Sequence, residues 1–200
     1  MPLPAVLLVM FAFCTQESVV AAESTQEQMS YAEQIEALRI MSTHEPENPD
    51  WHEALGHWLL GAEVEVTEEH AAEAEQHLRR AVELDSTKYW AWYDLAILHM
   101  DTEEGNRYLK NAIVANPKFP EPYYWLAYTY ARNYRDPEAI PIFERYLQVA
   151  RDHPDQPGSE TERVELVEEL LMQLRSGVDG EALLKVRRPN QPERDMSREL

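Results

Sequence analysis

Large and small residues recur along this chain with a helical rhythm. Counting from Leu55, the residues three, four and seven positions on are Trp58, Leu59 and Ala62. From Trp92 they are Leu95, Ala96 and His99, and from Tyr123 they are Leu126, Ala127 and Tyr130. Such offsets mark one face of an α-helix. A second run follows each at offsets of zero, four and seven: Ala74, Leu78, Ala81, then Gly105, Leu109, Ala112, then Ala139, Phe143, Tyr146. Asn48-Pro49 precedes the first unit, and breaks fall at Asp85-Ser86 and Asn116-Pro117. Each unit therefore predicts two amphipathic helices joined by a turn. Two more helices flank the three units. Ser30–Thr43 carries Ile35, Leu38 and Met41 and stands where the second helix of an earlier unit would be. Glu160–Arg175 carries Val164, Val167, Leu170, Leu171 and Leu174 and is expected to close the last open apolar face. Capping-box spacing at Asp50/Glu53 and Ser159/Glu162, and an N-cap with a following proline at Asp136-Pro137, give the expected starts. Pro141, deeper in its helix, should remove one backbone hydrogen bond.

This tandem pattern resembles the tetratricopeptide repeat, a 34-residue helix–turn–helix unit. The resemblance implies an all-α, right-handed superhelix of about three such repeats with flanking helices. The copies differ in length: Leu55 to Trp92 spans 37 positions and Trp92 to Tyr123 spans 31. About three extra residues are expected in the Glu63–Glu69 turn, and a shortening of about three near Asp101–Glu104.

The N-terminus reads as an address. Ala5–Phe13 is an unbroken apolar run, too short for a bilayer span but suited to the core of a secretory signal. Cleavage after Ala22 would divide the chain into a signal at 1–22, a repeat domain at 23–175 and a mobile tail at 176–200. That points to a periplasmic or extracellular protein. The competing reading is a lipid anchor on Cys14, although Phe13 is a poor neighbour for one; a third is an uncleaved apolar terminus. Cys14 is the one cysteine, so no intramolecular disulfide framework is available.

Composition removes several function classes. The net charge of -19 arises from 37 acidic against 18 basic residues, which disfavours nucleic acid and anionic membrane surfaces as partners. The first 86 residues carry 17 of the acidic groups and only 3 basic ones, a field that could steer a basic partner or simply confer solubility. None of the six glycines forms a phosphate-binding loop, and no cofactor is implied. His52 and His57 with Glu53 imitate a zinc-protease motif but stand five apart instead of four, on different helix faces. His70, Glu73 and His77 do share a face and could hold zinc; a solvated helix face is the favoured reading. No catalytic residues and no metal site are assigned, so the chain is expected not to be an enzyme.

In proteins with this repeat the first helix of each unit lines a concave groove. The stripe beside the packing face is Glu53, Gly56, Leu60 and Val64 on the first unit, Trp90, Tyr93, Ile97 and Met100 on the second, and Glu121, Tyr124, Tyr128 and Arg132 on the third. The second and third helices are thus apolar on two faces, and a second stripe implies a second burial event. The expected partner-binding groove is Leu60, Trp90, Tyr93, Ile97, Met100, Tyr124, Tyr128 and Arg132, with Arg132 available to pair an acidic group on the ligand. The Lys, Arg and Asn side chains with which some related proteins clamp a C-terminal carboxylate are absent from these places. The expected function is an adaptor or scaffold of an exported or envelope complex, gripping an apolar or proline-containing segment of a protein partner. Membrane contact would come only through a partner or an anchor at Cys14. The alternative is a permanent structural subunit with no exchangeable ligand.

Overall fold

The structure, a computed structural model, describes residues 30–61 and 66–176. Among these, eight helices follow one another: α1 (Tyr31–His44), α2 (Pro49–Leu59), α3 (Glu68–Leu84), α4 (Tyr89–Leu98), α5 (Glu103–Ala115), α6 (Glu121–Arg132), α7 (Asp136–Asp152) and α8 (Thr161–Ser176). Each helix packs on its neighbours in sequence, and α2 also touches α4. The hairpins α2/α3, α4/α5 and α6/α7 stack in series, with α1 at one end and α8 at the other. The expected signal at 1–22, Cys14, Val64 and the tail after Ser176 lie outside the described residues.

The repeated small residues sit where helices cross. Ala74, Leu78 and Ala81 of α3 face Leu55 and Leu59 of α2, all fully buried. Gly56 belongs to the same crossing: a Cβ there would lie 2.4 Å from Leu78 Cγ. It faces α3, not the groove stripe in which the sequence pattern placed it. Gly105 is still more constrained, since a Cβ there would stand 2.2 Å from the His99 backbone oxygen. The second repeat is shortened chiefly in α5, which has 13 residues where α3 and α7 have 17. Its tight entry is made by Asp101, whose φ is +68°, and by Gly105 pressed against the end of α4.

Helix starts follow the capping rules but not always at the expected residues. Ser30 makes a full capping box with Glu33, and Thr67 and Thr102 cap α3 and α5. The Asp50/Glu53 box does not form. Asn48 caps α2, which leaves Asp50 to pair with Lys88 and Glu53 to reach across to α4. Helix α4 has no side-chain cap of its own, and Glu53 Oε1 accepts from the Ala91 amide at 3.3 Å. One repeat thus satisfies an orphan donor of the next. Nor does Ser159 pair with Glu162: its hydroxyl donates to the His153 carbonyl, and α8 begins at Thr161. Helix α7 begins at Asp136 itself, with Arg135 in the cap position, and runs unbroken through an exposed Pro141.

Candidate functional site

The first helices of the repeats, α2, α4 and α6, touch through residues at equivalent places. Two positions before the anchors Leu55, Trp92 and Tyr123 stand Glu53, Trp90 and Glu121; two positions after stand His57, Asp94 and Trp125. These six are four apart within each helix and so share one face. Along it run the contacts between repeats. His57 Nδ1 lies 2.8 Å from Asp94 Oδ2. The Trp90 ring leans on His57 with centroids 5.7 Å apart. Trp125 Nε1 donates to Tyr93 Oη at 3.1 Å and to Glu121 Oε2 at 3.0 Å. Arg163 of α8 closes the row by pairing with Glu121.

The rings expected to stay uncovered are largely inside the molecule. Tyr124 is 4% exposed and Tyr128 is 7% exposed. Tyr124 meets Phe143 and Tyr146 of α7, stacks on Tyr128, and lies beneath the Arg163 guanidinium. Burial pushes its phenol up to about 12. Residues Glu121 to Ala131 of α6 are all buried, because α6 has neighbours in α4, α5, α7 and α8. Trp90 and Tyr93 are half-buried, and their neighbour is internal too: Phe119, from the α5–α6 turn, packs within 4.6 Å of Trp90 and 5.4 Å of Tyr93 and is fully buried. The second burial event that the double stripe demanded is therefore supplied largely by the chain itself. Ile97, Met100 and Leu60 stay half-buried at the edge of the core. Arg132 is occupied by Asp101 at 2.8 Å.

Sequence reasoning weighed His57 only as part of a false zinc motif and passed over Asp94, Trp125 and Phe119. The first three had a legible signal, since they share one register across three repeats. Phe119 had none, because a turn residue carries no periodicity. Asp94 is buried, with 8% of its side chain exposed, while the His57 side chain is 53% exposed. The hydrogen bond to Asp94 raises the His57 pKa above the ordinary histidine value, against the opposing effect of burial. Burial in turn pushes Asp94 up, and His57 opposes that. A protonated imidazole keeps the buried Asp94 charge paired, whereas losing that proton to solvent would leave the carboxylate without a counter-charge.

The remaining histidines do not converge on a metal. Glu73 makes a two-armed ion pair with Arg39, at 2.7 Å on each arm. His77 instead faces His52, with the two Nδ1 atoms 2.8 Å apart. His52 Nε2 lies 3.0 Å from the Pro46 carbonyl, which can only accept. In the neutral pair His52 therefore carries its proton on Nε2, and its Nδ1 accepts from His77. Among the described residues no group of three or more ligands is assembled. No helix among them is long and apolar enough to cross a membrane.

Serial helical hairpins whose first helices form a common face define the class: an all-α superhelix of the tetratricopeptide-repeat type. The solved structures that share it include two of MamA, itself an all-helical protein of this type. One matches with a TM-score of 0.52 at 16% identity, covering 76% of this chain and 91% of MamA. The other matches with a TM-score of 0.53 at 17% identity, covering 79% and 88%. Likeness at this identity speaks for the fold. No family model matches the chain. No curated protein matches it either.

Proposed function

We propose that the protein is a non-enzymatic scaffold for protein–protein interaction, acting in an exported or envelope complex. The observation that carries this reading is the contact of α2 with α4, where half-buried Trp90 leans on a half-exposed His57 and Leu60, Ile97 and Met100 stay half-buried further along the same helices and their C-terminal ends. Partly covered apolar side chains around a polar centre are what a partner segment can finish burying. With Tyr124 and Tyr128 buried, the docking region of this proposal is confined to the first two repeats. The partner fitted by this face is an extended apolar or proline-containing segment. The apolar run at Ala5–Phe13 supports export by a cleaved signal, with attachment at Cys14 as the competing route.

The test is co-purification of the full chain from its native cells, with mass spectrometry of its companions and of the mature N-terminus. A companion held by the wild type and lost from Leu60→Glu or Met100→Glu, with melting unchanged, supports the scaffold. A companion untouched by both changes, or none in stoichiometric amount, sinks it. The internal burial of the Tyr124 and Tyr128 rings favours a second reading, a permanent structural subunit. In that case both variants would melt early and drop out of their assembly together.

A further inference from the structure

The first two repeats hold a polar group that the apolar reading of the groove leaves unused. His57 bridges α2 and α4 through Asp94, and Trp90 flanks its ring. Among the described residues Asp94 has no other side-chain partner, and its position inside the face orients the imidazole with Nδ1 inward. Nε2 lies at the opposite end of the ring, on the half-exposed side, and has no hydrogen-bond partner among the described residues. The charged groups around it are few. Asp94 faces it from α4. Glu53 stands one turn earlier on α2, tied to Lys88 and to the Ala91 amide. The pair is therefore a fixed dipole whose negative end is buried and whose N–H end faces the groove.

We propose that His57 is the anchor for an acidic side chain on the partner segment, with the indole of Trp90 receiving the apolar residue beside it. This rests on the scaffold reading and deepens it by naming the partner's chemistry. Arg132, the cation the sequence pattern offered for that role, is taken by Asp101. His57 is held in place without having its outer nitrogen taken. A carboxylate on Nε2 gains a charge-assisted hydrogen bond, and the Asp94 behind the ring keeps the imidazole from turning. Nothing is transferred: the site binds and orients.

The probes are two capped peptides, acetyl-Leu-Glu-Leu-amide and acetyl-Leu-Gln-Leu-amide, titrated into the full chain at about neutral pH. Histidine ring signals are followed by NMR and the tryptophans by fluorescence. The glutamate peptide should move the His57 signals saturably and bind about tenfold more tightly than its glutamine twin. That advantage should persist to a pH above the ordinary histidine value and vanish once His57 loses its proton. His57→Gln should erase the difference between the peptides. Equal binding of the two, no movement of His57, or an advantage that survives His57→Gln overturns the proposal. The peptide comparison on the wild-type chain stands even if the variant melts early. A native companion retained equally by wild type and His57→Gln would remove the acidic anchor and leave the scaffold reading intact.

Discussion

Gly56 and Gly105 differ from other residues only by lacking a Cβ, yet the packing of two hairpins turns on them. At Gly56 an added methyl meets Leu78, a fully buried side chain that would have to be displaced but can turn about its own bonds. At Gly105 it meets the carbonyl of His99, which belongs to the backbone and cannot yield without moving the turn. Alanine favours a helix by about 1 kcal/mol over glycine, and overpacking costs about 1–3 kcal/mol, so the clash should win at Gly105. Gly105→Ala is expected to lower the urea midpoint clearly, and Gly56→Ala by less. The reverse order would mean that the second hairpin is looser than described. The sequence pattern placed Gly105 correctly, in register with Ala74 and Ala139. It could not say why glycine is needed there, because the opposing carbonyl comes from the end of another helix.

Helix pairs are joined by histidines with opposite responses to pH. His77 is pushed below the ordinary value of 6.5, mainly by burial and then by His52 beside it. The unfolded chain thus binds its proton more readily than the folded one. The stability it confers on the α2/α3 hairpin is complete above that value and is lost as the pH falls through the depressed one. His57 is raised, chiefly by its bond to Asp94. Its contribution between α2 and α4 is complete below the ordinary value and is lost as the pH rises through the raised one. Melting temperatures from about pH 5 to about pH 9 should therefore fall at both ends. His77→Gln should flatten the acid side and His57→Gln the alkaline side. Unaltered slopes in both variants would show that other groups govern the profile. The helices that carry these residues were legible from periodicity, since the rhythm of α2, α3 and α4 is local. The pairings were not, because His52 and His77 are 25 positions apart and meet only once the hairpin has closed.

Across the described residues, a partly buried ion pair fastens α8, the last described helix, to the stack. Arg163 of α8 reaches Glu121 of α6, whose carboxylate also takes the Trp125 indole and the Tyr93 hydroxyl. The α7–α8 connection is shaped to permit this. Gly158 has φ of +89° and leaves room for Glu121, while Tyr146 donates to the Gly158 carbonyl at 2.6 Å. Removing Arg163 leaves the Glu121 carboxylate with only its two remaining donors, the Trp125 indole and the Tyr93 hydroxyl. Arg163→Ala should therefore cost about 2 kcal/mol. Amide exchange should quicken first in α8 and α6 while α2 and α3 stay protected. Uniform loosening of all eight helices would instead make the stack a single cooperative unit.

The sequence by itself determined the serial hairpins, because each helix is written by the spacing of its own residues and each packing face by small residues at fixed offsets. It also determined that α4 and α6 must be covered on two sides, since rings on both faces of a helix demand it. Tertiary structure decided what covers them. Phe119 arrives from a turn, Tyr146 and Phe143 from a neighbouring helix, and Arg163 from α8, 42 positions beyond its partner. A periodic pattern records how much surface must leave water. Which neighbour removes it depends on contacts between segments remote in the chain, and these exist only in the folded stack.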